Sequence, residues 1–345
     1  MSRPHWERSQ RLWYYGLGRS GEPMTINDIA RLAGVSKSTV SRYLTGGSVS
    51  KKSAEKIARV IESTGYVLNA SASKLRSQRS RLVGVLVDGI DARAVTRILR
   101  GINDRLHELD YLPFIVIDNH DEDHKLAGMQ ALVRQGVDAI IFGTAQLTDE
   151  HARFMLGADV PIIVLGQRSD AFPFAKVDDY AGGRLMAEHV IEQKPKHLVY
   201  LGFPGYDRAG LERWHGFVDA CGSAGVGVEY LECGYEREAG YHLAEQALAN
   251  GTDFIVGASD TICLGVLRYL GEHGMSAPKD VRLAGFGNYE EGSLPMVSLT
   301  SVGFDYLALG RDVARKAVDL IEGEDVPHES VDYPMEIHVR NSSLA

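Results

Sequence analysis

The chain has 345 residues, 44% apolar and 24% charged, enough for one small domain and one large two-lobed domain with a sizeable core. Its three cysteines, Cys221, Cys233 and Cys263, form no C-x-x-C or Cys/His spacing, and no apolar run approaches the roughly 18 residues of a membrane span, so neither a disulfide framework, a structural zinc nor a transmembrane helix is indicated. The net charge of -9 divides unevenly: residues 24–81 hold eleven Lys and Arg against three acids, whereas the chain beyond them is strongly acidic, which suits a nucleic-acid contact confined to one end.

Residues 1–23 mix Trp6, Trp13, Tyr14 and Tyr15 with Arg and Gly, without periodicity and without the apolar core of a secretory signal. They read either as a disordered or partner-binding arm or as sequence upstream of a true initiator, Met24. The second reading is favoured because a capped helix opens immediately after Met24. Thr25 is expected to N-cap that helix, Asp28 to sit at its positive end, Ile29, Leu32 and Ala33 to form its apolar face, and Gly34 to stop it. Ser36 then caps a second helix to Leu44, with Val40 and Leu44 inward at i, i+4 spacing. After the Gly46-Gly47 turn, Ser50 caps a third helix to about Thr64, and Ile57, Val60 and Ile61 close the core. Two helices joined by a short Gly-containing turn make a helix-turn-helix, and the short polar side chains of the second helix allow it to lie deep in a major groove. Asn69 is a good N-cap for the Ala/Ser-rich stretch to Leu75, a helix too short to persist alone.

The runs TINDIARLAGVSKSTVSRYL, VSKKSAEKIARVIESTGYVLNASASKL and RLVGVLV resemble the lactose/galactose repressor family (LacI/GalR), and the likeness continues to the C-terminus. It implies that Lys37, Ser38 and Arg42 read base edges, and that Thr25, Ser36, Thr39, Ser41, Ser50 and Asn69 set register on phosphates. It also implies that Ala72 and Leu75 enter the minor groove, where paired leucines of two subunits kink the duplex. Leu68 stands where members often carry proline, which leaves the start of the hinge less stiff.

From residue 82, β-branched runs alternate with helical stretches: LVGVLV, FIVI, AIIF and PIIVL, then HLVYLG, FIVGA and VRLAGF. This βαβ series predicts an α/β architecture of parallel sheets covered by helices, in two lobes. The family likeness implies a periplasmic-binding-protein-like domain whose chain crosses three times between lobes of about 82–177 plus 303–325 and 178–302 plus 326–345. The expected division is thus a 1–23 extension, a 24–68 headpiece, a 69–81 hinge helix and linker, and an 82–345 effector-binding and dimerisation domain.

Ligands of such folds sit at the carboxyl ends of strands, in the cleft between lobes. Those ends carry Asp88, Gly89 and Asp91; Gln167 and Arg168; Tyr206, Asp207 and Arg213; Ser259 and Asp260; and Gly287, Asn288 and Tyr289. Carboxylates, amides, a forked arginine and an aromatic face suit a polyol. Asp88, Asp91, Gln167, Arg213, Asp260 and Asn288 are the candidate effector contacts. Arg213 matches the family's effector-binding arginine and Asp260 its polar cleft position, although a strand-end Asp equally serves as a helix cap. The runs IVLGQ, VYLGFPGYDRAGLER and GFGNYEEGSLPMVSLTSVGFDYLALG are similar to sucrose- and trehalose-type repressors. Gly89 replaces a residue that is often basic in that subgroup, which weakens a sugar-phosphate assignment; Arg93 and Arg97 are the candidates to substitute.

The polar run from Asp118 to His124 reads as helix capping rather than a metal site. No G-x-G-x-x-G after a strand, P-loop, G-x-S-x-G or HExxH is present, so no catalytic residue, metal or cofactor is assigned. The expectation is a cytoplasmic, homodimeric repressor of sugar-utilisation genes that binds double-stranded operator DNA under control of a sugar or sugar phosphate. The alternative is a cytoplasmic sugar-binding protein without a gene-regulatory role, against which the basic head argues.

Overall fold

The computed structural model of the chain describes residues 24–44, 47–64, 79–90, 93–118, 122–144, 146–203, 205, 207–327 and 333–344, which fall into two units, 1–80 and 81–345. In the first unit, α1 (Ile26–Ala33) begins with a reciprocal cap: Asp28 N–H donates to Thr25 Oγ1 (3.3 Å) and Thr25 N–H to the Asp28 carboxylate (3.1 Å). Gly34 ends it at φ 63°, a left-handed conformation that costs glycine little. α2 (Lys37–Leu44) and α3 (Lys51–Thr64) start in the same way, with Thr39 N–H donating to Ser36 Oγ (3.1 Å) and Ser53 N–H to Ser50 Oγ (3.3 Å). Ile29, Ala30, Ala33, Val40 and Ile57 make the core of the three helices. Leu32 departs from expectation: the buried arc of α1 runs through positions 26, 29, 30 and 33, which leaves Leu32 55% exposed.

The second unit holds two sheets. β1 (Leu82–Val87), β2 (Leu112–Ile117), β3 (Ala139–Gly143), β4 (Ile162–Leu165) and β5 (Phe174–Ala175) form a parallel sheet in the order β2-β1-β3-β4-β5. β6 (Leu198–Gly202), β7 (Val228–Glu232), β8 (Phe254–Gly257), β9 (Arg282–Phe286), β10 (Thr300–Gly303) and β11 (Glu336–His338) form the other, ordered β11-β10-β9-β8-β6-β7, in which only β10 and β11 run antiparallel. The central strands are apolar throughout because helices cover both faces, as in parallel sheets generally.

The helices are α4 (Arg93–Glu108), α5 (Glu122–Gln135), α6 (Asp149–Leu156), α7 (Asp179–Glu192), α8 (Arg208–Ser223), α9 (Arg237–Ala247), α10 (Asp260–Glu272), α11 (Glu290–Ser293) and α12 (Tyr306–Glu322). α12 follows β10 of the second sheet yet packs on α4, β3 and β4, so the chain returns to the first sheet; further on, Tyr333 bridges Val177 beside the earlier crossing. Three helix pairs cross on facing glycines: Gly101 with Gly310, Gly183 with Gly216 and Gly240 with Gly265. At each of these six positions a Cβ would overlap a backbone carbonyl of the partner helix. Among the described residues, no helix is long and apolar enough to cross a membrane.

Candidate functional site

The exposed face of α2 presents Lys37, Ser38 and Arg42, with Thr39 and Ser41 half-buried beside them. Ser36 Oγ lies 2.8 Å from both Ser38 Oγ and Thr39 Oγ1, so the polar side chains at the start of α2 form one connected patch. Thr25, Ser36 and Ser50 each cap a helix, which places them at the positive helix ends where phosphates bind favourably. The capping hydrogen bonds from Thr25 hold the exposed Asp28 carboxyl below its ordinary value. The expected hinge residues Asn69, Ala72 and Leu75 lie outside the described residues, as do Asp91, Tyr206 and the 1–23 extension.

In the larger unit, the α7–α8 crossing brings a buried ion pair together. Asp179 precedes Gly183 by one turn of α7 and Arg213 precedes Gly216 by about one turn of α8, and the close approach at the glycines brings the two side chains together. Arg213 donates through Nη2 to Asp179 Oδ1 (2.8 Å) and through Nη1 to the Ala258 carbonyl at the end of β8 (2.7 Å). Its guanidinium also lies 4.9 Å over the Phe286 ring at the end of β9, and its Nε is buried without a hydrogen-bond partner. Burial disfavours the charge, but Asp179 and neighbouring tyrosines outweigh it and keep Arg213 protonated.

Arg97 of α4 reaches across from the first sheet, donating to the Asn288 carbonyl (3.3 Å) and lying over the rings of Tyr289 (5.7 Å) and Tyr306 (5.9 Å). Burial pushes the Tyr289 phenol up to about 12 and raises that of Tyr306 as well, so both rings stay neutral. At the ends of β1 and β3, Lys125 of α5 donates to Thr144 Oγ1 (3.0 Å) and sits 3.1 Å from Asp88. Gln167, after β4, is half-buried. A cavity of about 480 Å³ is lined by Ile90, Arg93, Thr96, Arg237, Glu238 and Thr261.

Two expected effector contacts have other work in this conformation. Asp260 is fully buried: Oδ1 accepts from Ser301 Oγ (2.6 Å) and Oδ2 from the Tyr289 N–H (2.8 Å), so its carboxylate ties β10 to the turn after β9. Asn288 is held at φ 46°, its N–H donating to Ser301 Oγ (2.8 Å) and its Oδ1 accepting from Arg340 Nη2 (2.6 Å). Asp207 and Ser259 are N-caps of α8 and α10. Sequence reasoning missed Asp179, Lys125, Lys176, Glu212, Tyr306 and Arg340. Only Asp179 carried a signal, the paired Asp178-Asp179 opening a helix after a strand.

Asp260 sets a pH dependence. Burial pushes its carboxyl up to about 6, against the hydrogen bonds from Ser301 and the Tyr289 N–H. A raised folded-state value means that its contribution to stability is complete below the ordinary carboxylate range and is lost as pH rises through 6. Unfolding free energies measured in urea from pH 4 to 8 should therefore show a descending step of about 3 kcal/mol, and Asp260→Asn should remove it. An unchanged step in the variant would assign it elsewhere.

Residues 25–69 match the model of bacterial regulatory proteins of the lacI family, and residues 187–343 match the periplasmic binding protein-like domain. The chain joins a lacI-family DNA-binding domain to a periplasmic binding protein-like domain. It is 28% identical over 320 residues to the sucrose operon repressor of Staphylococcus xylosus, covering 92% of this chain and 98% of that relative. It is 27% identical over 331 residues to the HTH-type transcriptional regulator IdnR of Escherichia coli (strain K12), with 92% and 98% covered. Among solved structures it is similar to the lac repressor dimer bound to operator and the anti-inducer ONPF, with a TM-score of 0.83, 25% identity, and 94% of this chain and 100% of that chain covered. A second similar structure is the CelR–cellobiose complex, at TM-score 0.68 and 26% identity, covering 93% and 100%. Like these LacI-family relatives, which are regulators rather than enzymes, the chain is a DNA-binding transcriptional regulator.

Proposed function

We propose that this protein is a cytoplasmic homodimeric repressor of sugar-utilisation genes, whose operator affinity is set by a sugar or sugar phosphate bound between the lobes of residues 82–345. The observation that carries the reading is the presence, on one chain, of an exposed basic recognition helix and a polar group at the strand ends that includes Arg213, which reaches the end of β8. The relatives named for sucrose and cellobiose support the ligand class. Dimerisation is supported by β2, an edge strand that exposes Leu112, Phe114, Ile115 and Ile117; an apolar edge of this kind calls for a covering partner, and the similar lac repressor is a dimer. The free, buried Cys221, Cys233 and Cys263 fit a reducing compartment.

In this scheme residues 24–68 choose the sequence, with Lys37, Ser38 and Arg42 on base edges. Residues 69–81 form a hinge that folds on DNA through Asn69, Ala72 and Leu75. A ligand that binds one lobe arrangement better than another shifts the hinge equilibrium, and couplings of about 1–3 kcal/mol give several-fold to hundred-fold changes in affinity. The test is retardation of duplexes selected by the protein from a random pool. Binding should weaken steeply with salt, each neutralised phosphate adding about 0.9 to the log–log slope, and should weaken again when the sugar is added. Retention of no preferred sequence, or binding indifferent to salt, would leave only the sugar-binding alternative.

A further inference from the structure

Four cations among residues 81–345, Lys125, Arg213, Lys176 and Arg93, come with carboxylate counter-charges already in place. Lys125 is 1% exposed and lies beside Asp88, and Arg213 is held by the buried Asp179. Lys176, also buried, pairs with Glu212 of α8, and Arg93 at the rim pairs with Glu291 of α11. Arg97 is directed to a backbone carbonyl and two tyrosine rings, with the Asp260 carboxyl close enough to interact with it. Gly89, at the end of β1, contributes no side chain.

We infer that the cleft takes an uncharged polyhydroxylated ligand and discriminates against its phosphate ester; the inference rests on the sugar-responsive reading above. A phosphate dianion that engages Lys125, Arg213, Lys176 or Arg93 must displace a carboxylate, and the displaced carboxylate then stands beside it. A hydroxyl meets no such conflict. It donates to a carboxylate that stays paired and accepts from its cation, so the charge balance is undisturbed. The buried, unpartnered Nε of Arg213 is a further donor that a neutral oxygen satisfies.

The experiment is thermal unfolding of the full chain with sucrose, trehalose, maltose and fructose, each beside its phosphate ester, with inorganic phosphate as control. At least one neutral compound is expected to raise the midpoint, and its ester to bind about tenfold or more weakly. An ester that binds as tightly as its parent overturns the inference. If no compound of either class shifts the midpoint, the sugar reading fails and this inference with it. Asp88→Asn, which uncovers the Lys125 charge, should raise the ester-to-parent affinity ratio roughly tenfold. Should that variant not fold, Glu291→Gln uncovers Arg93 at the rim and serves the same comparison; a ratio unchanged in a folded variant contradicts the charge-pairing argument.

Discussion

Arg213→Met is expected to destabilise the 81–345 unit by about 3–5 kcal/mol and to abolish the ligand response. Methionine roughly conserves the packing against Phe286, so the loss comes chiefly from electrostatics: Asp179, 5% exposed and with its carboxyl already raised by burial, is left buried without its partner, and the Ala258 carbonyl loses a donor. The pair itself contributes far less than this, because bringing two charges out of water offsets most of their attraction. The double variant Asp179→Asn, Arg213→Met should therefore recover much of the stability without recovering the ligand response. Urea unfolding of the wild type, both single variants and the double variant closes the cycle. A double variant as unstable as the sum of the singles would place the loss in packing instead. DNA retardation by folded Arg213→Met should persist and become indifferent to sugar, since no part of the headpiece core is touched.

The same pair shows where sequence reading stops. The alternation of β-branched runs with helical stretches disclosed the parallel sheets because the central strands are covered on both faces and therefore read as unbroken apolar runs. The headpiece was legible for a similar reason: its caps are local, so Thr25, Ser36 and Ser50 announce helices in the sequence itself. Leu32 was misplaced because an eight-residue helix has little more than two turns, over which several apolar arcs fit equally well. Asp179 and Lys125 escaped for a deeper reason. A lysine in a helix normally reads as a solvated face, and only the convergence of β1, β3 and α5 turns Lys125 inward toward Asp88 and Thr144. Asp260 shows the same limit: its strand-end position suggested a ligand, and its hydrogen bonds from Ser301 and Tyr289, distant in sequence, could not be read from the chain.

The glycine crossing beneath Arg213 should be as sensitive as the arginine itself. Gly216→Ala places a methyl group against the Tyr180 carbonyl of α7, a backbone atom that moves only if the helix moves. Overpacking of this kind costs about 1–3 kcal/mol, even though alanine is the better helix former. Because Arg213 lies about one turn away on the same helix, a shift of α8 also lengthens the Arg213–Asp179 contact, and ligand affinity should fall along with stability. Gly222→Ala supplies the contrast on the same helix, since a Cβ there meets nothing within 4 Å. It should stabilise the protein by about 0.5–1 kcal/mol and leave ligand affinity as it was. Measured together by urea unfolding and ligand titration, the two one-methyl changes separate helix propensity from interhelical spacing. Equal effects at both positions would mean that the crossing does not set the geometry of the cleft, and that Arg213 and Asp179 meet for some reason other than the bare backbone contact of Gly183 and Gly216.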